Sequence, residues 1–394
     1  WHYPDWKNYE IKYNPNLWYN FTDGVKLGLN LMGGYLNHHH LFDASIFMNT
    51  GVGKDENRDN YTNFDNLSYN LKYNTNLDNI ILNTRVKIHS SYMAGLHKNS
   101  LTLFKSDSDN DNNIEIKLLS LYRPESASQN YLLLPEYWNQ NRFNNRVDIN
   151  ASHKYKYENG KGDLVLSFKT STIGSDYNYS SLSLTAINKN QIGKIKINTR
   201  TFLQLGHGEN WAPESKLGLA GANNEELMNN KFTRSSGIIH PDMISFSNET
   251  GHFQTSGGLN LRGYAGYLAP EYDENGNLVN YTNYGTSGAS LSAEFDMSAF
   301  LPYNIRRQNV STYLFADAGT INTEEINRNN FRTAFSDIRA DAGIGFTYTR
   351  KRFGPLETIK PLIIRLDLPI FLNRPIYNEE YIQMRWLLGI GKSF

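Results

Sequence analysis

Leu362-Ile363-Ile364-Arg365-Leu366-Asp367-Leu368-Pro369-Ile370 is the stretch on which the fold turns. Leu362, Ile364, Leu366, Leu368 and Ile370 fall on every second position, with Arg365 and Asp367 between them. Successive side chains of an extended strand point to opposite faces, so this segment offers one apolar face and one charged face. The same period of two returns with Val25, Leu27, Leu29 and Leu31 against Lys26, Gly28, Asn30 and Met32. It returns again with Ile80, Leu82, Thr84, Val86 and Ile88 against Ile81, Asn83, Arg85, Lys87 and His89. Ile195, Ile197, Thr199 and Thr201 alternate with Lys194, Lys196, Asn198 and Arg200, and Ile338 to Phe346 alternates with Arg339 and Asp341 in the same way. Helical periodicity is nearly absent. A soluble sandwich would have to cover each apolar face with a second sheet, whereas a membrane barrel needs only lipid outside. Strands of about ten residues suit a tilted membrane crossing better than the usual five or six.

Composition sets no obstacle to that reading. The chain has 394 residues, 39 Lys+Arg against 39 Asp+Glu and a mean hydropathy of -0.57. No stretch approaches the roughly 18 to 20 apolar residues of a transmembrane helix. A barrel averages out polar because alternate residues face a wet lumen. Aromatic residues make up 13%, including 26 Tyr, which suits interfacial girdles. A net charge of zero argues against nucleic acid as a partner. The lack of Cys removes disulfide and thiolate-metal frameworks. Trp1 opens the chain without an initiating Met or a signal segment, which suggests a processed protein or a fragment.

Counting the segments predicts an all-β fold, a roughly 16-stranded antiparallel transmembrane β-barrel that takes up residues 1–394 as one domain. With the first strand at Tyr9 to Tyr19, the turn-rich connections Asn76 to Asn79, Ser106 to Asn112, Glu158 to Gly162 and Asn188 to Gly193 read as periplasmic turns. Longer connections, Pro124 to Asn145 and about 207–288, fall at the opposite end. Both termini are then expected in the periplasm of a bacterial cell with an outer membrane.

Three motifs narrow the reading. Leu259-Asn260-Leu261-Arg262-Gly263-Tyr264 lies inside the longest connection, between expected strands 11 and 12. Phe315-Ala316-Asp317-Ala318-Gly319 places Phe315, Asp317 and Gly319 on one strand face, with Val310, Leu314 and Ala316 on the other. Asp317 must then point into the barrel, where a carboxylate needs a cation, and a loop guanidinium supplies one with a bidentate fork. The third is the C-terminus, Met384 to Phe394, where Met384, Trp386, Leu388, Ile390 and Phe394 share a face.

In order and spacing these motifs resemble the superfamily of BamA, TamA and the two-partner secretion transporters, whose barrels form the bacterial surface antigen domain. Residues Ala340 to Phe346 and Phe353-Gly354-Pro355-Leu356 also look like that superfamily's strand 14 and the turn after it. The resemblance implies that the 207–288 connection is extracellular loop 6, folded into the lumen. It implies a structural latch of Arg262, Gly263, Tyr264, Phe315, Asp317 and Gly319, with the strand-13 Asp holding the loop Arg. It further implies a seam between the first and last strands, with Phe394 ending the signal that assembly machinery reads. Pro15 in the first strand removes a ladder donor, and Gly389 and Gly391 weaken the last strand. Such a seam can open.

The function implied is outer-membrane protein assembly or protein translocation. The expected partners are outer-membrane lipid and lipopolysaccharide, unfolded outer-membrane or secreted proteins, and periplasmic factors. Alternatives are a barrel anchor or export pore for a fused upstream peptidase or other hydrolase, and a porin-like channel. No nucleophile-and-base arrangement or phosphate loop is present, so the chain itself is read as no enzyme and as needing no cofactor. His38-His39-His40 has no partner at a recognised ligand spacing and is not read as a metal site. Glu225-Glu226 and Asp55-Glu56 are read as solvated loop acids.

Overall fold

The structure is a computed structural model that describes residues 7–36, 39–54, 65–244, 246, 251–272, 278–323, 334–350, 362–375 and 379–394. Sixteen strands form one antiparallel meander in which each pairs with its neighbours in sequence. They are β1 (Glu10–Asn20), β2 (Gly24–Tyr35), β3 (His39–Asn49), β4 (Leu67–Asn76), β5 (Thr84–Met93), β6 (Leu96–Ser106), β7 (Asn112–Tyr122) and β8 (Phe143–Tyr157). The second half is β9 (Gly160–Ser171), β10 (Asn178–Ile192), β11 (Ile195–Asn210), β12 (Gly288–Asp296), β13 (Val310–Thr323), β14 (Arg339–Arg350), β15 (Leu362–Leu372) and β16 (Trp386–Ile390). No helix among the described residues is long and apolar enough to cross a membrane.

The faces sort as the alternation requires. On β15, Ile364, Leu366 and Ile370 are exposed while Arg365 and Asp367 are buried. On β11, Leu203 and Leu205 are exposed around buried Arg200 and Phe202. Leu27 and Leu29 on β2, Leu101 and Leu103 on β6, Ile114, Ile116 and Leu118 on β7, and Leu164, Leu166 and Phe168 on β9 extend the exposed apolar belt. A belt of this extent on the outer surface is what a lipid-facing barrel presents and what a soluble protein avoids. The inner face is polar and charged, and long connections fold onto it.

The strand ends that flank the longest connections, before 50, 123, 211, 324 and 373, all lie at the end away from the chain termini. Connections at the terminal end include 107–111, 158–159 and 193–194, with 297–309 the longest of those described. Three expected boundaries move. β11 continues through His207 to Asn210, so the long connection starts at 211 rather than 207. Ile80, Ile81 and Leu82 belong to a turn rather than to β5. Both Ile80 and Ile81 donate their N–H to the Leu77 carbonyl at 2.8 Å, the Asp78 carboxylate accepts the Asn83 N–H at 3.0 Å, and Asn83 sits at φ 57°. The Asx geometry overrides the apolar run. The last strand stops at Ile390, four residues short of Phe394. The expected turn at Phe353 to Leu356 lies outside the described residues, as do Asp55, Glu56 and His38.

The two ends of the meander are not paired with each other among the described residues. Among the described residues no ladder joins β1 to β16; β1 pairs with β2 alone. On the other side of β16, opposite β15, lies a three-residue strand from the long connection, Gly251–Phe253, running parallel to it.

Candidate functional site

Arg262 is fully buried on the inner side of the sheet. Within the 211–287 connection, a 3-10 turn at Arg262–Tyr264 lies against the inner wall, all three residues buried. Its apolar side is anchored by Leu217, Leu219, Leu259, Leu261, Tyr264 and Ala269, packed with Phe202 of β11, Ile321 of β13 and Leu372 of β15. That apolar seat fixes where the guanidinium goes. Arg262 Nε donates to Asp317 Oδ2 at 2.7 Å and Nη2 to Asp317 Oδ1 at 3.0 Å, the bidentate fork. Nη1 donates to Glu294 Oε1 of β12 at 2.8 Å, and the guanidinium lies 4.0 Å from the Phe315 ring centroid. Arg262 and the Asp317 carboxylate are fully buried.

The glycines are explained by close approach rather than by unusual backbone angles. A Cβ on Gly263 would lie 2.6 Å from Asp341 Cβ and 2.8 Å from Leu372 Cδ2. The lack of a side chain at Gly263 lets the loop backbone touch the wall of β14 and β15. On Gly319 a Cβ would meet the Ala289 carbonyl at 2.7 Å and Leu261 Cδ1 at 3.1 Å, so this glycine makes space for the loop. Tyr264 is bonded at its far end, its hydroxyl donating to Asn373 Oδ1 at 2.9 Å.

The structure therefore gathers Arg262, Gly263, Tyr264, Phe315, Asp317 and Gly319 in one place. Sequence reasoning missed Glu294, the second acid on Arg262, and Asp341, a buried acid against Gly263. Both carry the signal that exposed Asp317: a charged residue in an alternating strand must face the lumen and find a partner there.

The seam residues are spread more widely. Pro15 lies on exposed β1, opposite Leu29. Trp386 opens β16 and faces Gly251. Gly389 lies in β16, where a Cβ would be 2.9 Å from both Arg365 Nη2 and the Gln254 carbonyl. Gly391 is at φ +104°, a left-handed conformation that ends the strand. Beyond it the chain leaves the wall: the Lys392 carbonyl accepts from Ser256 Oγ at 2.7 Å, the Ser393 carbonyl accepts from Asn260 Nδ2 at 3.3 Å, and Ser393 Oγ bonds Glu294. Phe394 thus does not continue the outward face of the last strand. Leu388 and Ile390 also differ from expectation. They sit on the face of exposed Leu366 and Ile364, yet they pack against Ile239, Ile244 and Phe253 of the long connection.

At the mouth, Glu225 is far from solvated. Arg146 of β8 binds Asp148 at 2.6 Å and Glu225 at 2.5 Å, while Glu226 completes a capping box with Asn223. Among the described residues no group of three or more His, Asp and Glu side chains could hold a metal ion. His40 Nδ1 instead bonds the Tyr73 hydroxyl at 2.6 Å.

Fold and site together define an outer-membrane-type β-barrel with a loop ion-paired to its inner face. Structural comparison finds BamA from Haemophilus ducreyi lacking POTRA domains 1-3, at 14% identity and a TM-score of 0.49, covering 95% of this chain and 69% of that one. CdiB from Escherichia coli is similar at 12% identity and a TM-score of 0.39, covering 97% of this chain and 62% of that one. OccK1 (OpdK) of Pseudomonas aeruginosa is similar at 12% identity and a TM-score of 0.42, covering 96% and 95%. No protein-family model matches the chain, and no curated protein matches it in sequence.

Proposed function

We propose that this chain is the membrane part of an outer-membrane factor that assembles or translocates other polypeptides, and that it works at the seam between β1 and β16. One observation carries the reading: the meander ends on two edges that do not pair with each other, within a barrel whose inner loop is pinned by a buried ion-pair cluster. A passive pore gains nothing from an unpaired seam, because a closed ladder is what removes edges from a membrane barrel. A factor that hands an extended chain into lipid needs such an edge, since β-augmentation satisfies the backbone of the incoming strand. Arg262, Asp317 and Glu294 then act as a structural latch that keeps the wall in shape while the seam moves.

The partners on this reading are unfolded outer-membrane or secreted polypeptides, delivered by periplasmic factors to a barrel set in lipid and lipopolysaccharide. The termini face the periplasm; the grouping of the longest connections at the opposite end supports that orientation. The test is reconstitution in liposomes with an urea-unfolded client barrel added outside. Faster client folding than in empty liposomes, with little steady conductance in a planar bilayer, is the expected pair of results. Steady porin-like conductance with no effect on client folding overturns the proposal.

A further inference from the structure

The seam is bridged by the protein's own loop, at two anchors. On the β1 side, the Phe21 N–H donates to the Ser236 carbonyl at 3.1 Å, Trp18 packs edge-on against Phe232 with centroids 5.6 Å apart, and Lys231 Nζ lies 4.7 Å from the Trp18 centroid. On the β16 side, Gly251, His252 and Phe253 pair in parallel with Trp386, Leu387 and Leu388, and the Gln254 N–H donates to the Leu388 carbonyl at 2.8 Å.

The second anchor is shaped as a strand site. A Cβ on Gly251 would lie 2.3 Å from the Trp386 indole, so any larger residue at the first position has to displace that ring. His252 is buried at the next, and Phe253 enters the apolar cluster of Ile239, Ile244, Leu388 and Ile390. Arg365 reaches across β16 to Gln254 and to Ser256 Oγ at 3.1 Å, which tethers the segment from the wall side. An exposed strand edge costs unpaired backbone groups in lipid; here the loop supplies the missing partner.

We propose that Gly251–Phe253 is a resident strand occupying the β16 edge, and that an extended polypeptide with a glycine two residues before an aromatic enters the seam by exchanging with it. This rests on the seam reading above and adds a gate to it. Exchange lowers the apparent affinity of any incoming strand by the fraction of time the edge is vacant.

The absence of Cys from the chain allows a clean lock. The probe is a synthetic peptide of residues 249–256 with a photoreactive phenylalanine at the position of Phe253, and the readout is adducts mapped to residues 386–390. Gly251→Val, which pushes the resident strand off Trp386, is expected to raise adduct-forming affinity about tenfold. The pair His252→Cys with Leu387→Cys, oxidised, is expected to abolish those adducts, and reduction is expected to restore them. Should Gly251→Val fail to fold, the cysteine pair before and after reduction decides alone. Equal labelling of the locked and reduced protein overturns the gate, as do cysteines that never cross-link and a β16 edge that stays unlabelled in every variant. Client folding is scored separately, so loss of the assembly function with peptide exchange intact strikes only the earlier reading.

Discussion

Replacing Arg262 by Ala removes a guanidinium that makes two hydrogen bonds to Asp317, at 2.7 and 3.0 Å, and one to Glu294 at 2.8 Å. It leaves the fully buried Asp317 carboxylate without its cation, with buried Asp341 nearby. Stranding a buried charge in this way costs about 3–5 kcal/mol, and loss of the contact with Phe315 adds to it. Arg262→Lys keeps the charge but cannot form the fork, and should cost less, about 1–3 kcal/mol. Urea titration of the barrel in detergent micelles, read by the gel-mobility shift between folded and unfolded forms, gives both values. Combining Arg262→Ala with Asp317→Ala should cost clearly less than the sum of the two single changes, because the second removes the charge that the first strands. An Arg262→Ala barrel within about 0.5 kcal/mol of wild type, in the range of an ordinary surface change, would refute the latch.

Further expectations test other parts of the wall. Gly263→Val forces a side chain to within 2.6 Å of Asp341 Cβ and should cost about 1–3 kcal/mol by overpacking in the same titration. At the mouth, burial pushes the Glu214 carboxyl up to about 7, against the Asn144 amide and with the charges of Glu225 and Arg146 nearby. The folded state then holds a proton that the unfolded chain has lost, so stability should rise as pH falls from about 7 toward the ordinary carboxyl value. Glu214→Gln should flatten that rise, and hydrogen exchange of the 211–219 amides at pH 5 and pH 8 would show it. Lys26 is the buried partner of Asp23 at 2.6 Å, and Lys26→Met should cost about 3 kcal/mol by leaving that carboxylate without its contact. An unchanged thermal midpoint in the Lys26→Met variant would show that Asp23 is adequately held by the Tyr131 hydroxyl at 2.5 Å and its neighbouring amides.

Local covalent pattern determined much of this protein. A period of two is a property of any extended chain, so the alternation along Leu362 to Ile370 and Val25 to Leu31 already assigned a lipid face and a lumen face, and it sent Asp317 inward. An inward acid in turn required a cation, and Arg262 was legible as its partner once the loop that carries it was recognised. What the pattern left undecided depends on contacts between residues far apart in the chain. Gly263 could be seen as special, but whether for its backbone angles or for its lack of a side chain was decided by the approach of Asp341 and Leu372. Glu294 and Asp341 joined the latch only because the sheet register sets their strands beside Asp317.

The last strand shows the limit most clearly. Alternation alone set Leu388 and Ile390 toward lipid and ran the strand on to Phe394. Hydrogen bonds from Ser256 and Asn260 draw the final residues off the wall, and Phe253 covers Leu388 and Ile390 from the side. Which partner completes a strand edge is a long-range choice among competing segments. The sequence of β16 fixes its two faces, and only the folded loop decides what lies along its edge.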